Sequence, residues 1–487
     1  MNSLAKSKVL STDYKNRGKV LFIVHDVYQN DNVFPMGIGY LAAVLKNKGY
    51  QVQIYHMDVY HYSNDDLAKF LDENEFDLIG IGFLAARFKE TVFDLIHVIA
   101  NHKKNALTIL GGHGPSPIPE YMLETTPADI VAIGEAEQTI VDLIECKLAR
   151  GDLGQVKGIA YKKEGTTIVN PRQSIWKNIN LLPLPAWDLF PMDIYTANMV
   201  FPRMQKFDKS FSILCSRGCV GKCNFCYQLE KGFRIRSPEN FVKEMKILHD
   251  TYGINYFCFL DDLSLTSKKK FKQLVDEIKE NDLKVQLNIE ARVDIIDEEL
   301  VDMMEEAGVS FVNIGFESMS QKVLNIMKKK TTVEDNFKAA EIVTKSGLNL
   351  GINLIWAEPG DDEESLNNAV DFIMKYSCYE QIRTIRPVTP YPGSPLYYEA
   401  IDKGLLKGPA DFFEKFNNSD RITVNFTEMS DERCYELLLK ANSRLIRNYF
   451  QNTNQDMQEA AILIDQYRDL YSGKILNFRG SRSYKRE

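Results

Sequence analysis

The chain has 487 residues, of which 44% are hydrophobic and 26% are charged, and its formal net charge is −8 at pH 7. These values are ordinary for a globular protein, so they exclude a disordered, collagen-like or disulfide-scaffold chain, and the acidic balance offers no overall positive field to attract nucleic acid. At roughly 150 residues per domain, the length predicts about three domains.

The hydrophobic pattern of residues 19–180 predicts alternating strands and helices, preceded by an N-terminal tail at residues 1–18. Short apolar strands that alternate with longer helices indicate a parallel sheet with helical crossovers. The prediction is therefore an α/β, doubly wound, Rossmann-like domain. Its predicted strands are residues 19–24, 51–55, 78–83, 106–110 and 130–133, and its predicted helices are residues 37–48, 64–74 and 91–101.

Ligands of a doubly wound domain bind beyond the carboxyl ends of its strands. The loops predicted at those ends contain Met36 and Gly37, residues 111–115, and Gly134 with Glu135. A hairpin is predicted near residues 158–169, and the prolines of residues 180–191 indicate a linker, which we assign to residues 181–205.

Residues 206–403 predict a second α/β series. Six strand–helix units fit most of a (β/α) barrel or a large open sheet. The predicted strands are residues 212–215, 256–260, 284–289, 311–314, 349–354 and 383–388, and the predicted helices are residues 237–251, 267–281, 297–307, 320–327 and 333–346. Residues 404–487 are predicted to form a helical domain, with helices at 431–450 and 457–471.

The longest uncharged apolar stretch, residues 78–86, is far shorter than the roughly 20 residues that a spanning helix needs. Residues 1–17 are polar and lack the apolar region of a signal peptide. We therefore expect no membrane span and a cytoplasmic location. The lysine runs at residues 268–270 and 328–330 are expected to be solvated helix faces.

Four of the eight cysteines lie within twelve residues: Cys215, Cys219, Cys223 and Cys226. In a reducing compartment, clustered thiols indicate a metal site, whereas the four scattered cysteines are expected to be small buried residues. The spacing Cys219-x3-Cys223-x2-Cys226 suits three irons of a [4Fe–4S] cluster and leaves the fourth iron without a protein ligand. A structural zinc site is the main alternative, with Cys215 as a possible fourth ligand.

The cysteine loop resembles the signature of the radical S-adenosylmethionine (SAM) enzymes. Ser216, Arg217 and Gly218 in front of it resemble the members that carry an N-terminal cobalamin-binding domain. The resemblance runs over roughly residues 19 to 400. Its further segments are residues 34–39, 111–113, 134–137, 233–238, 259–262, 291–294, 315–318, 357–360 and 389–395. It implies a central partial barrel of the radical SAM type.

The resemblance implies a binding site for SAM on the cluster held by the three cysteines. Phe225 would contact the adenine, unless it is simply a core-facing loop aromatic. Asp261 or Asp262 would accept hydrogen bonds from the methionyl ammonium, and only one of them can do so because neighbouring strand residues face opposite ways. Arg292 would pair with the methionyl carboxylate, and Glu317 would support the ribose or adenine.

The resemblance also implies cobalamin in the first domain. One kind of cobalamin domain uses an Asp-x-His-x-x-Gly loop after its first strand, but residues 25–30 do not have that spacing, so any cobalamin would lack a His lower ligand. Gly111 and Gly112 would let the backbone approach the cofactor because glycine has no Cβ, although a plain strand-terminal turn is the alternative. The remaining candidates are Met36, Gly37, His113, Gly134 and Glu135. An NAD site is excluded because no Gly-x-Gly-x-x-Gly follows the first strand.

The function implied is methyl transfer from methylcobalamin to an unactivated carbon, after hydrogen abstraction by a 5′-deoxyadenosyl radical. The alternatives are oxidative cyclisation or rearrangement with the same cofactors, radical chemistry without cobalamin, and a non-enzymatic metal-cluster module that binds or senses. The expected partners are a small-molecule substrate and an electron donor such as a flavodoxin or ferredoxin, and not nucleic acid.

Specificity for the substrate is expected in the last 85 or so residues and in the loop ends. An aromatic group there is predicted either to roof the barrel mouth or to pack as an ordinary helix core: Tyr391, Tyr397, Tyr398, Phe412, Phe413 and Phe416. No acid–base pair stands out, so no catalytic side chain is singled out beyond the cofactor sites.

Overall fold

A computed structural model describes residues 18–27, 33–197, 201–265 and 267–476. The predicted tail at residues 1–18 therefore lies almost wholly outside the described residues. No helix within the described ranges is long and apolar enough to cross a membrane.

The first sheet confirms the predicted doubly wound domain. Its strands are β1 (Lys19–Val24), β2 (Gln51–His56), β3 (Leu78–Gly82), β4 (Leu107–Gly111), β5 (Ile130–Ala132), β6 (Ile159–Lys163) and β7 (Thr166–Val169). The first five are parallel in the order β2-β1-β3-β4-β5, which is a known doubly wound order. β6 and β7 form the predicted hairpin and add antiparallel to β5.

Helices cover both faces of this sheet. They are α1 (Met36–Asn47), α2 (Met57–Tyr60), α3 (Asn64–Glu73), α4 (Phe93–His102), α5 (Pro119–Thr125) and α6 (Glu137–Leu148). The sequence did not predict α5, which has only seven residues, or α6, whose N-cap residue Ala136 makes no side-chain capping bond. The helix predicted at residues 91–101 is displaced because a π-helical turn at Phe88–Val92 precedes it.

The proline-rich stretch predicted as a linker packs into the core. Leu182, Trp187 and Phe190 are at most 8% exposed, and the rings of Phe190 and Phe34 are 4.6 Å apart. Its prolines stop a helix from forming but do not separate it from the fold. A short helix, α7 (Met192–Ala197), follows. The domain boundaries remain predictions.

The second sheet confirms the predicted partial barrel. β8 (Ser210–Ile213) is followed by an antiparallel hairpin of β9 (Ser216–Cys219) and β10 (Gly232–Ile235). The further strands are β11 (Tyr256–Phe259), β12 (Gln286–Arg292), β13 (Val309–Glu317), β14 (Asn349–Trp356) and β15 (Arg386–Pro387). The parallel order is β15-β14-β13-β12-β11-β8, so β8 and β15 lie at opposite edges and the barrel is open.

Helices surround this sheet and complete the C-terminal part. They are α8 (Pro238–Tyr252), α9 (Lys268–Glu280), α10 (Glu298–Glu306), α11 (Gln321–Ile326), α12 (Val333–Lys345), α13 (Glu363–Tyr376), α14 (Pro395–Asp402), α15 (Pro409–Lys415), α16 (Asp431–Asn452) and α17 (Met457–Tyr471). The two C-terminal helices confirm the prediction, and α16 packs on both α13 and α17.

One hydrophobic core runs through both sheets. The ring of Phe34, before α1, lies 4.9 Å from the ring of Phe211 on β8, and both belong to the same buried cluster. A second cluster joins the other face of the first sheet to the C-terminal aromatics, where Phe413 lies 4.8 Å from Phe88 and stacks 5.7 Å from Tyr121. Phe412, Phe413 and Phe416 are therefore packing residues, whereas Tyr398 is exposed.

Candidate functional site

The cysteine loop is closed at its base by the β9–β10 hairpin. Cys219 ends β9 and pairs with Gly232 at the start of β10. Gly218 has φ +78°, and an added Cβ there would lie 2.2 Å from the Gly232 carbonyl oxygen. Only glycine allows the two strands to approach this closely, so Gly218 determines where the loop begins and returns.

The three predicted ligand thiols gather on this loop. An added Cβ at Gly221 would lie 3.3 Å from Cys219 Sγ and 3.9 Å from Cys223 Sγ, so both sulfurs flank Gly221. Although the Cys226 side chain keeps exposed surface, desolvation by its surroundings and the neighbouring Cys223 thiol raise its pKa to about 12, with further contributions from Glu317 and Cys219. In the described part of the chain, no three His, Cys, Asp or Glu side chains are grouped for a single metal ion. A cubane instead distributes its thiolates over separate irons.

Cys215 does not belong to this group. Its buried thiol donates to Asp261 Oδ2 at 3.3 Å, and burial raises its pKa well above the usual value. Asp261 also accepts from the Ser216 backbone N–H and from Ser264 Oγ. A zinc site that used Cys215 as its fourth ligand would have to break these bonds. Because Asp261 is engaged inside the fold, Asp262 is the neighbour that reaches the interdomain cavity described below.

Two cations lie beside the thiols. Arg292 Nη2 donates to the Lys329 carbonyl oxygen at 3.2 Å, and Lys329 Nζ pairs with Glu317 Oε1 at 2.7 Å. Burial raises the pKa of the Cys223 thiol, whereas the positive charges of Lys329 and Arg292 act to lower it. These cations suit a site that must hold several thiolates together.

Lys329 contradicts the expectation that residues 328–330 form a solvated helix face. It is 6% exposed, because the chain turns after α11 with positive φ at Lys328 and Lys330. The turn directs the middle lysine inward, toward Glu317 and the cysteine loop. The run of three lysines does not indicate which lysine is buried. Glu317, a predicted site residue 12 positions earlier in the sequence, is the partner that could have suggested it.

Asn224, between two of the cysteines, is anchored from three sides. Its backbone N–H donates to the Met327 carbonyl at 3.0 Å, its carbonyl accepts from the Leu396 N–H at 2.8 Å, and its side chain donates to Glu358 Oε2 at 3.2 Å. Glu358 is fully buried, and burial raises its pKa to about 8. A neutral carboxyl group therefore supports the loop, a contact that sequence reasoning missed. Phe225, next along, is partly buried and packs against the second core cluster.

An interdomain cavity of about 320 Å³ opens beside the hairpin. It is lined by loops at the carboxyl ends of both sheets, as expected for α/β folds. Among its lining residues are Gly37, Tyr40, Gly112, His113, Gly134, Glu135, Arg217 and Asp262. Met36, in contrast, is buried in the core at 8% exposure. The loop at residues 25–30, which lacks the Asp-x-His-x-x-Gly spacing, falls partly outside the described residues.

A second, apolar cavity of about 120 Å³ adjoins the first inside the N-terminal domain. Its wall contains glycines from α1, from β3, from the end of β4 and from the residue after it: Gly37, Gly80, Gly82, Gly111 and Gly112. An added Cβ would meet nothing within 4 Å at Gly37, and only atoms 3.9 Å away at Gly82 and Gly111. Glycine at these positions therefore leaves open space that side chains would fill.

Buried ion pairs join the two domains across the interdomain cavity. Arg217 Nη1 lies 2.6 Å from Glu137 Oε1 and 3.2 Å from Glu135 Oε2, and Arg234 Nη1 donates to Glu135 Oε2 at 2.8 Å. Burial would raise the pKa of Glu135, but Arg234 and Arg217 lower it. The Arg217 guanidinium also lies 4.9 Å from the ring centre of Tyr40. Sequence reasoning named Glu135 but missed its two arginine partners.

Comparisons with known proteins agree with this arrangement. Residues 27–144 match the B12 binding domain, and residues 213–373 match the radical SAM superfamily. A Pyrococcus horikoshii protein named as an uncharacterized methyltransferase is 28% identical over 412 residues, covering 84% of this chain and 86% of its own. The anaerobic magnesium-protoporphyrin IX monomethyl ester cyclase of Rubrivivax gelatinosus is 26% identical over 416 residues, covering 82% and 72%.

A solved structure shares the fold. It is that of TsrM from Kitasatospora setae, a radical SAM methyltransferase with cobalamin and a [4Fe–4S] cluster bound. The TM-score is 0.63 at 18% identity, over 80% of this chain and 75% of that one. With both domain models matched in this order and the fold shared, the chain belongs to the cobalamin-dependent radical SAM enzymes.

Proposed function

We propose that this protein is a cobalamin-dependent radical SAM methyltransferase that methylates an unactivated carbon of a small molecule. The observation that carries the proposal is the placement of the cysteine loop and the glycine-walled cavity on either side of one interdomain cavity. Both halves of the chemistry can then meet at a single substrate.

The three thiols of Cys219, Cys223 and Cys226 would hold a [4Fe–4S] cluster with one iron left for SAM. Arg292 and Lys329 would offset the negative charge of the thiolates. Asp262, which faces the interdomain cavity, is the better placed of the two aspartates to accept from the methionyl ammonium. Glu317, held by Lys329, would remain close to the nucleoside.

Cobalamin would occupy the two adjoining cavities. Both contain Gly37, Leu41, Gly112 and Ala136, so one extended ligand can pass from one cavity to the other. The absence of Cβ atoms at the glycines suits the flat base of the nucleotide tail in the small apolar cavity. His113, Gly134 and Glu135 would border the larger corrin end of the ligand in the interdomain cavity.

When bound, the cluster would supply one electron, SAM the radical that abstracts hydrogen, and cobalamin the methyl group. The task of the chain is to hold the substrate close to them and to exclude water. The continuous core and the buried ion pairs between the domains serve that task by keeping the two cofactor regions in a constant relation. We further propose a flavodoxin or ferredoxin as the electron donor, since the cluster needs a one-electron reductant.

Product analysis tests the proposal. Anaerobically reconstituted protein, given cobalamin and a reductant, should convert SAM to both 5′-deoxyadenosine and S-adenosylhomocysteine. The Cys223→Ser variant should lose iron and both products, whereas Cys215→Ser should retain iron because Cys215 binds Asp261 and not the cluster. Loss of iron in Cys215→Ser, or neither product from wild type, would contradict the proposal.

A second candidate, oxidative cyclisation or rearrangement with the same cofactors, is favoured by the match to the Rubrivivax gelatinosus cyclase over 82% of this chain. It predicts 5′-deoxyadenosine without S-adenosylhomocysteine. The ratio of the two products therefore separates the candidates.

A further inference from the structure

Polar side chains form a layer inside the partial barrel, below the cysteine loop. Neighbouring strand residues face opposite sides, so Ile289 and Val312 face the surrounding helices while Glu290 and Asn313 face the lumen. Glu290 is paired in register with Asn313, and Asn313 with Gly351. The layer therefore crosses β12, β13 and β14.

Arg383 enters this layer from the segment before β15. Its guanidinium donates to Asn353 Oδ1 at 3.1 Å, Asn313 Oδ1 at 3.3 Å and Gln381 Oε1 at 2.9 Å. All three acceptors are neutral amides. Glu290 lies beside the Asn313 amide, which acts to lower the pKa of the Glu290 carboxyl group, while Asn313 Nδ2 itself donates to Asn288 Oδ1 at 3.1 Å. Within the described residues, neither Arg383 nor Glu290 takes part in an ion pair.

The charged layer just above is different. There, Glu317 pairs with Lys329 at 2.7 Å and Arg292 with Asp294 at 2.9 Å. Arg292 is two residues beyond Glu290 on the same strand, which is about 6–7 Å. Beside the cysteine loop, opposite charges are therefore paired directly. One layer deeper, Asn313 lies between Glu290 and Arg383 and holds them apart.

Enclosed charges normally have a charged partner, because burial without one is costly. Burial and the repulsion of Glu317 raise the pKa of Glu290 to about 8, against the attraction of Arg383, and burial lowers the pKa of Arg383. Both residues nevertheless keep some accessible surface. At neutral pH the Glu290 carboxyl group is therefore mostly protonated, like that of Glu358, and an ammonium group bound beside it would favour its ionised form. Titratable groups in such surroundings are typical of functional sites.

Gly351 makes room for this arrangement. An added Cβ at this position would lie 2.2 Å from Asn313 Oδ1 and 2.8 Å from Arg383 Nη2. A glycine inside a strand often marks such a close approach. The strand thus gives up a side chain so that a guanidinium can lie in the lumen.

We propose that Glu290, Asn313 and Arg383 form the substrate-recognition layer of the barrel, and that they take a small zwitterion. The ammonium group of the ligand would lie at Glu290 and its carboxylate at Arg383, where a guanidinium can bind both oxygens. This proposal rests on the proposed function, because it is the cysteine loop above that makes a ligand in this lumen a substrate.

Binding of three matched probes to the reconstituted holoenzyme tests the proposal. L-leucine carries both charges, L-leucinamide only the ammonium, and N-acetyl-L-leucine only the carboxylate. Dissociation constants from saturation-transfer NMR should be at least about ten-fold lower for L-leucine than for either analogue, which corresponds to about 1.4 kcal/mol.

Two variants should each lose one preference. Arg383→Gln should bind L-leucine and L-leucinamide equally, and Glu290→Gln should bind L-leucine and N-acetyl-L-leucine equally, while each keeps the other preference. The exposed Arg447 offers a control, since Arg447→Gln should keep both preferences. Circular dichroism of each variant separates lost recognition from lost folding, and Arg383→Lys provides a second variant that keeps the cation.

The outcomes are distinguishable from a failure of the proposed function. Wild type that cleaves SAM but binds the three probes equally, or binds none, would overturn this proposal alone. Folded variants that lose both preferences together would also overturn it. Wild type that does not cleave SAM at all would overturn the proposed function instead.

Discussion

Glu358 connects the cysteine loop to the rest of the barrel through a single buried hydrogen bond to Asn224. Burial holds its pKa at about 8, above the ordinary value of 4.5. Between these two values the folded chain keeps a proton that the unfolded chain has released. This contribution to stability is therefore present below about pH 4.5 and is lost as the pH rises through about 8.

We expect Glu358→Gln to reduce the pH dependence of stability in the metal-free protein. Between pH 6 and pH 8, the free energy of unfolding of wild type should fall by about 2 kcal/mol more than that of the variant, because each titrating proton contributes up to about 1.4 kcal/mol per pH unit. Urea unfolding at both pH values measures this. The exposed Glu414→Gln should behave as wild type, and parallel curves for wild type and Glu358→Gln would contradict the account.

At the residue scale, spacing predicts the three candidate ligand cysteines because cluster chemistry requires them close together in sequence. It could not reveal Glu358 or Lys329. Glu358 lies 134 residues from the amide that it supports, and Lys329 differs from its two neighbours only in the direction that a turn gives to its side chain. Such contacts depend on tertiary structure and leave no local pattern.

Among the elements, the β9–β10 hairpin most directly determines the shape of the site. Gly218 and Gly165 both have left-handed backbone conformations, with φ +78° and +79°. An added Cβ at Gly165 would meet nothing within 4 Å, whereas at Gly218 it would lie 2.2 Å from the Gly232 oxygen. Substitutions at Gly165 and Gly218 therefore distinguish the cost of backbone strain alone from the cost of strain plus a steric clash.

Gly165→Ala should cost about 1–2 kcal/mol, the strain of a left-handed residue alone. Gly218→Ala should cost about 1–2 kcal/mol more than this and should also lower the iron content after reconstitution, because the hairpin must open. Chemical denaturation and iron analysis measure both effects. Equal destabilisation with equal iron would show that the hairpin does not control the loop.

The elements themselves followed from the sequence where periodicity and end signals agreed. The five parallel strands of the first sheet and the long helix α16, capped by Ser430, are examples. Helix α6 was missed because its N-cap residue is Ala136 and makes no side-chain capping bond. The β9–β10 hairpin was missed because its strands have four residues each and are partly polar.

At the scale of the whole molecule, the Arg217 ion pairs join the two domains. Arg217, Glu135 and Glu137 side chains are at most 14% exposed, so removing the cation leaves carboxylates buried without their partner. Such losses typically cost about 3–5 kcal/mol, and Arg234 still compensates part of the charge here. The sequence could not show this pairing, since Arg217 and its glutamates are about 80 residues apart.

We therefore expect Arg217→Met to lower the free energy of unfolding by about 3 kcal/mol in urea denaturation. The matched control is Arg444→Gln, which breaks an exposed pair with Asp371 at 2.8 Å and should cost less than about 1 kcal/mol. Similar losses in the two variants would show that the interdomain pairs do not hold the domains together.

The electron paramagnetic resonance spectrum of the reduced, reconstituted protein, recorded with and without SAM, tests whether the cysteine loop holds a cluster that binds SAM directly. Three cysteine ligands would leave one iron open, so direct binding of SAM to that iron should change the spectrum of the cluster. We expect a clear shift of the signal on addition of SAM. An iron–sulfur signal that is identical with and without SAM would contradict it.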